Sequence, residues 1–186
     1  MSTLTHSHLI SVEAFARMPQ PEDGSQLELV EGVVISMPPP SFAHGVCCNR
    51  IGRKVGNFVE DHSLGFVTSN DSGVILSRKP DTVRGPDVAF WSKRRMPAAP
   101  SEGYAQIAPD LVVEVLSPHD VFPKVLRKVQ QYLKADVLLI WVVVPEDRSV
   151  TVYRPGCDAA ILTEEEILTG EDVLPGFECL VSQLFP

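Results

Sequence analysis

The spacing of apolar residues along the chain distinguishes predicted helices from predicted strands. Residues 110–116 and 137–144 are almost wholly apolar, which is typical of strands buried on both faces of an α/β sheet. Between Ser41 and Asp61, apolar residues recur every three or four positions, as on one face of a helix. We predict helices over 12–17, 41–61 and 121–134, and the buried stripe of the last consists of Val121, Val125, Val129 and Leu133. The predicted strands are 65–69, 73–77, 87–91, 110–116, 137–144 and 150–153. A hairpin is predicted over 27–35, with its turn at Glu31-Gly32.

The order of these elements predicts an α/β (α+β) fold. A hairpin, a helix, a run of strands, a second helix and further strands indicate a mixed central β-sheet flanked by helices, with an N-terminal β-hairpin. The 186 residues suffice for one domain with a sizeable core. We assign residues 1–25 to a lead-in segment, whose short helix Ser11 can cap, and residues 26–186 to a single domain.

Composition and charge narrow the classes of function. The formal net charge of −8 counts against a broad electrostatic grip on nucleic acid, although a local basic cleft would still be compatible with it. No apolar run approaches the roughly 20 residues that a bilayer requires, and no signal peptide is evident, so we expect a cytoplasmic protein without a membrane partner. None of the cysteines has C-x-x-C spacing, which favours small buried hydrophobes in a reducing compartment.

Two acidic residues lie in strands that are otherwise apolar. Glu114 is flanked by Val113 and Val115, and Asp87 begins the strand that follows Gly85-Pro86. A carboxylate within a buried strand is costly unless it is paired or binds a metal. On neighbouring strands, the two could hold Mg²⁺, with a nearby lysine to stabilise negative charge during phosphodiester hydrolysis.

A structural role for each acid is the alternative. Glu114 could form a buried ion pair with Lys124 or Lys128, and Asp87 could cap a turn. Because both acids occur in the strand context that a metal site requires, we favour the metal site for the pair.

The chain resembles the Uma-two family of restriction-endonuclease-like proteins, a branch of the PD-(D/E)XK nuclease superfamily. The resemblance covers most of the chain and depends on the order and spacing of several short motifs. These are Leu27 to Gly32, Pro39-Pro40 with His44 closely after, Gly85 to Val88, Ala108 to Pro118, Lys128 with Tyr132, Trp141 to Pro145, Val150 to Arg154, and Leu174 to Phe177.

The resemblance implies a restriction-endonuclease-like fold and a nuclease that requires Mg²⁺ or Mn²⁺. Asp87 and Glu114 would then be the metal-binding acids, with the main-chain carbonyl of Val115 as a further ligand. The superfamily's lysine usually follows the second acid by two residues, where this chain has Leu116. In this family a lysine on the following helix takes that place, which corresponds to Lys128, with Tyr132 one turn later. Lys124 stands where the family commonly has an acid, which alters the local charge balance.

Other residues are candidates for catalysis, metal binding or contact with nucleic acid, but fewer sequence features support them. Glu31 could be a third acid from an early element, or a solvent-exposed turn residue beside Gly32, and the sequence favours neither. His44, at the start of its helix, could contact a phosphate or a metal-bound water, but a cap or packing role is the more common one. His6 and His8 resemble a metal pair only superficially. The basic residues that could contact nucleic acid are Arg50, Arg53, Lys54, Arg78, Lys93, Arg94, Arg95 and Lys124.

The expected function is endonuclease-like hydrolysis of phosphodiester bonds, with DNA as the expected substrate and a homodimer as the expected assembly by analogy with related nucleases. Nothing in the sequence indicates a separate recognition domain, so we expect weak sequence specificity. The alternative is a domain of the same fold that binds nucleic acid or a protein without cleaving. Leu116 at the usual lysine position and the acidic net charge favour that alternative.

Overall fold

Helices and strands alternate along the chain in much the order that the sequence predicts. The computed structural model describes residues 9–99, 102–118 and 120–186; His6 and His8 lie outside them. The helices are α1 (Val12–Phe15), α2 (Phe42–Asp61) and α3 (Phe122–Lys134), and a 3₁₀ turn spans Val181–Leu184. The strands are β1 (Gln26–Val30), β2 (Val33–Met37), β3 (Gly65–Ser69), β4 (Val74–Arg78), β5 (Asp81–Arg84), β6 (Val88–Ser92), β7 (Leu111–Val115), β8 (Leu139–Val144), β9 (Ser149–Tyr153), β10 (Ala160–Leu162), β11 (Ile167–Gly170) and β12 (Leu174–Leu180).

The two apolar strands lie side by side in a six-stranded central sheet. Its order is β10-β9-β8-β7-β6-β3. β7 and β8 are parallel because α3 carries the chain back between them, whereas the other neighbours are antiparallel. The sheet is therefore mixed, which confirms the α/β fold prediction.

Helices cover both faces of this sheet. Ile51 and Val55 of α2 pack against Val113 and other residues of one face. On the opposite face, Val129 and Tyr132 of α3 pack against residues of β7 and β8. Because side chains alternate along a strand, Glu114 points towards α3 while its neighbours in β7 point towards α2.

A second, antiparallel sheet has the order β2-β1-β5-β4. The hairpin of β1 and β2 was predicted, and both residues of its turn, Glu31 and Gly32, have positive φ. The sequence pattern did not predict β5, a four-residue strand with a single apolar side chain, Val83. Val83 joins Leu29 of β1 in a small core that also buries Val12 and Phe15 of α1. β5 leads directly into the Gly85-Pro86-Asp87 segment and so positions it.

Three predictions about these elements need correction. The buried stripe of α3 is wrong at its start, because Val121 is 52% exposed, whereas Val129 and Tyr132 are buried. The strand predicted over 73–77 is one residue out of register with the strand observed, since β4 spans Val74–Arg78. The cysteines are not uniformly buried, since Cys157 is exposed. No helix in the described part of the chain combines the length and the apolarity needed to cross a bilayer.

Candidate active site

Asp87 lies between the two sheets, immediately before β6. The preceding Gly85 has no room for a side chain, because an added Cβ would lie 2.7 Å from the carbonyl oxygen of Asp71. Asp87 is only 7% exposed. Its Oδ2 accepts a hydrogen bond of 2.6 Å from the backbone N–H of Val115, and its Oδ1 lies 3.3 Å from Nε2 of His44. The carboxylate is thus held by the strand that carries Glu114 and by the start of α2.

Glu114 is buried within β7, and two residues of α3 satisfy its oxygens. The ammonium group of Lys128 donates to Oε2 at 2.7 Å, and the hydroxyl of Tyr132 donates to Oε1 at 2.6 Å. Lys128 and Tyr132 are four residues apart, so they lie on the same face of the helix. Burial raises the pKa of Glu114 to about 7, Lys128 opposes that rise, and the negative charges of Asp87 and Glu28 add to it.

Lys128 bridges two buried acids. Besides Glu114, its ammonium lies 3.2 Å from a carboxylate oxygen of Glu28, a residue of β1 that is 2% exposed. Burial by itself lowers the pKa of Lys128, but Glu114 and Glu28 outweigh burial and raise the pKa above its ordinary value. Lys128 therefore remains a cation at neutral pH. The side chain of Lys124, one turn earlier, is exposed.

Glu28 is a site residue that the sequence reasoning missed. It also pairs with Arg84 and accepts a 2.9 Å hydrogen bond from the backbone N–H of Gly85. Burial alone would raise the pKa of Glu28, but Lys128 and Arg84 outweigh that effect and lower it. An acid between Leu27 and Leu29 carries the same signal that identified Glu114, an acidic residue in an apolar strand, and that signal could have found it.

Glu31 is less buried than Glu28 and lies at the turn between β1 and β2. Its carboxylate pairs with Arg127 at 2.7 Å and accepts a 3.3 Å hydrogen bond from Gln131. The side-chain oxygen of Gln131 in turn accepts two hydrogen bonds from Arg84. Glu31 is thus joined to the buried acids through Gln131 and Arg84, and its role as a third acid stays a prediction.

The N-terminal end of α2 supplies His44 and Cys48 to the other side of Asp87. Ser41 caps this helix by accepting a 3.3 Å hydrogen bond from the N–H of His44. The hydrogen bond to Asp87, opposed by burial, raises the pKa of His44 above its ordinary value. Cys48 lies 3.3 Å from Nδ1 of His44. Asp71 lies against Gly85, two residues before Asp87, and burial and then the charge of Asp87 raise the pKa of Asp71.

The predicted basic contacts do not converge on this site. Arg50 donates to the backbone oxygen of Phe185, and Lys54 donates to Gln183 at 2.7 Å, so both contact the C-terminal segment. Arg95 lies 3.0 Å from Asp110 and binds backbone carbonyls of neighbouring loops, which gives it a structural partner. Arg78 pairs with Glu13, whereas Arg53, Lys93 and Arg94 are exposed. Their contact with nucleic acid stays a prediction.

Comparisons with known proteins agree with this architecture. A family model described as "Uma2: Putative restriction endonuclease" matches residues 12–182. A crystal structure of a protein from Anabaena variabilis, described as "a putative nuclease belonging to DUF820", superposes with a TM-score of 0.81 at 22% identity, and the match covers 95% of this chain and 97% of that one. At that identity the likeness shows the fold. No curated protein matches the sequence.

Proposed function

Since the chain belongs to the Uma2 family of restriction-endonuclease-like proteins, we propose that it is a divalent-metal-dependent hydrolase of phosphodiester bonds in DNA. The observation that carries the proposal is the placement of two buried acids, Asp87 just before β6 and Glu114 in the neighbouring strand β7, beside the cation of Lys128. The groups are close because Asp87 accepts a 2.6 Å hydrogen bond from the N–H of Val115, the residue after Glu114, and Lys128 lies 2.7 Å from Glu114.

The chemistry of this site fits a divalent cation. Burial makes ionisation of Glu114 costly, and the nearby charge of Asp87 adds to that cost. A cation between the two acids would offset this repulsion, and Mg²⁺ and Mn²⁺ both prefer oxygen ligands. Asp87, Glu114 and the backbone carbonyl of Val115 would hold the ion. When bound, such an ion polarises phosphoryl oxygens and increases the acidity of water.

The side chains around the acids have separate roles in this proposal. Lys128 stays protonated, so it serves as a fixed positive charge for the phosphate and is not a general base. Tyr132 keeps its proton, because burial and then Glu114 raise its pKa, and its hydrogen bond holds the Glu114 carboxylate in one orientation. Glu28 holds Lys128 through a second ion pair, and Arg84 in turn pairs with Glu28.

Substrate binding and assembly rest on weaker support. Lys93, Arg94 and Arg53 are exposed cations that could contact the DNA backbone. A homodimer would supply two active sites for two DNA strands, and cytoplasmic location fits a nuclease of this family. We expect the preference for any one sequence over random DNA to be below about 10³-fold.

The test is nicking of supercoiled plasmid by the purified protein in Mg²⁺ or Mn²⁺, compared with EDTA. We expect Asp87→Asn and Glu114→Gln to lower the rate by about 10²-fold or more, the scale that mutagenesis gives for groups that stabilise charge in a transition state. Glu60→Gln, which changes an exposed acid of α2, is the control and should cleave as the wild type does. Metal-independent nicking, or equal nicking by all variants, would refute the proposal.

A non-cleaving nucleic-acid-binding domain is the second candidate. One observation favours it: both carboxylate oxygens of Glu114 already accept hydrogen bonds from Lys128 and Tyr132. Leu116 at the usual lysine position and the net charge of −8 point in the same direction. This candidate predicts that the wild type binds DNA equally in Mg²⁺ and EDTA, without cleavage, and that Asp87→Asn leaves the affinity unchanged.

A further inference from the structure

A group of nitrogen, sulfur and oxygen donors lies on the α2 side of Asp87. His44, Cys48 and Asp87 each offer one ligand atom, and these atoms lie within 4.8 Å of one another. His44 and Cys48 are four residues apart in α2, so they lie on the same helical face. All three residues are buried or half-buried. The oxygen-donor site proposed above uses Asp87 with Glu114 and Val115, and it does not account for the histidine or the thiol.

The two distances from Nε2 of His44 to the other ligand atoms are close to those between ligands of a tetrahedral ion. With ordinary zinc–ligand bond lengths, tetrahedral ligands are about 3.6 Å apart for sulfur and nitrogen and about 3.4 Å apart for nitrogen and oxygen. The sulfur of Cys48 lies 3.9 Å from Nε2 of His44, and the same nitrogen lies 3.3 Å from Oδ1 of Asp87. These two distances are within about 0.3 Å of the tetrahedral values, and all three ligand atoms lie within 4.8 Å of one another.

One carboxylate oxygen of Asp87 faces His44, because the other is hydrogen-bonded to the backbone. Oδ2 is taken by the backbone N–H of Val115 at 2.6 Å, which fixes the carboxylate and leaves Oδ1 for His44. Ser41 fixes the first turn of α2, which carries the histidine. The donors are thus partly positioned before any ion binds, so less ordering is needed on binding.

We propose that Nε2 of His44, Sγ of Cys48 and Oδ1 of Asp87 bind a borderline-soft transition-metal ion of the Zn²⁺ or Co²⁺ type. Imidazole and thiolate ligands select such ions over Mg²⁺, which prefers oxygen. The fourth position stays open to water or another small ligand. On binding, the Cys48 thiol loses its proton to solvent and its sulfur forms the bond to the metal, with no change of oxidation state.

Binding at this group also has a consequence that rests on the proposed nuclease function. The ion takes the Asp87 oxygen that Mg²⁺ would share, so Zn²⁺ should inhibit Mg²⁺-dependent cleavage. A protein that never cleaves DNA would refute the proposed nuclease function but leave metal binding by these three residues intact.

Cobalt titration tests the site without any activity assay. The full chain is used with His6→Ala, His8→Ala and Cys157→Ser, which removes the N-terminal histidines and the exposed thiol as other ligands. With Co²⁺ alone, we expect a near-ultraviolet thiolate-to-cobalt charge-transfer band and the strong visible bands of a four-coordinate ion.

Two substitutions of adjacent cysteines distinguish the site from other thiols. Cys48→Ser should abolish the charge-transfer band and weaken Co²⁺ affinity by more than about 100-fold, beyond the loss typical for an outer-shell partner. Cys47→Ala, which changes a thiol wholly buried in the core, should leave the band in place. Circular dichroism establishes that each variant is folded.

Three results would overturn the proposal. One is the absence of a charge-transfer band in the starting protein, which requires no substitution at the site. Another is a band that persists in Cys48→Ser. The third is an affinity for Co²⁺ that is unchanged in His44→Gln, because a thiol that binds without the histidine belongs to a different site.

Discussion

Replacing Tyr132 with phenylalanine should destabilise the protein by removing one hydrogen bond to a buried carboxylate. The hydroxyl donates to Oε1 of Glu114 at 2.6 Å, and Tyr132 is 0% exposed. Water therefore cannot easily replace the lost donor. A hydrogen bond to a charged group contributes about 1.5–3 kcal/mol. A loss of about 2 kcal/mol would lower Tm by roughly 4–8 °C in a chain of this size.

Urea denaturation of the wild type and of Tyr132→Phe measures this loss in the free energy of unfolding. Tyr153→Phe is the matched control, because the hydroxyl of Tyr153 has no hydrogen-bond partner among the described side chains and backbone groups, and it should change stability by less than about 0.5 kcal/mol. Glu114→Ala, which removes both acceptor oxygens, completes a double-mutant cycle, in which we expect a coupling energy of about 1–2 kcal/mol with Tyr132→Phe. Equal stability of the two phenylalanine variants, or additive effects in the cycle, would refute the assignment of Tyr132 as the partner that holds Glu114.

Two further pairs of substitutions test the surroundings of the site. Glu28→Gln should cost about 3–5 kcal/mol in urea denaturation, because it removes the acid that pairs with the buried Arg84 and one of the two acids that pair with Lys128. Glu31→Gln at the exposed end of the network should cost about 0–1 kcal/mol; equal losses would contradict the burial of Glu28. Gly85→Ala should lower Tm because its Cβ would crowd the carbonyl of Asp71, whereas Gly45→Ala, on an open helix face, should raise stability by about 0.4–1 kcal/mol. A rise in Tm for Gly85→Ala would show that this close approach is not required.

The sequence was sufficient to identify Glu114 as a site residue. Glu114 was identified because an isolated carboxylate in a run of valines and leucines must have a partner. Helical spacing could not choose between Lys124 and Lys128 as the partner of Glu114, because both lie on the same face, and only the family resemblance favoured Lys128. The physical reason for the choice is how α3 is rotated and placed on the sheet. Only Lys128 lies close enough, at 2.7 Å from Glu114.

Glu28, unlike Glu114, was not identified from the sequence. Alternation within β1 places Leu29 in the small core with Val83, which leaves Glu28 on the other face of the strand. From the sequence that face would be expected to meet water. In the structure, Lys128 of α3 covers that face of β1. The acid from the early hairpin that joins the buried network is therefore Glu28. Periodicity shows which residues share a face, but the packing of distant elements decides whether that face is buried.

The sequence by itself determined the order of most elements, the mixed α/β fold and the family, because apolar periodicity and short motifs are local properties of the chain. The tertiary structure alone decided which polar side chains meet. β5 has one apolar residue and could be recognised only from its pairing with its neighbours. Asp87, His44 and Cys48 come from segments about 40 residues apart, and only the packing of α2 against the sheet brings them together. A carboxylate, an imidazole and a thiol have no attraction that sequence spacing could reveal; their positions follow from the burial of the apolar residues around them.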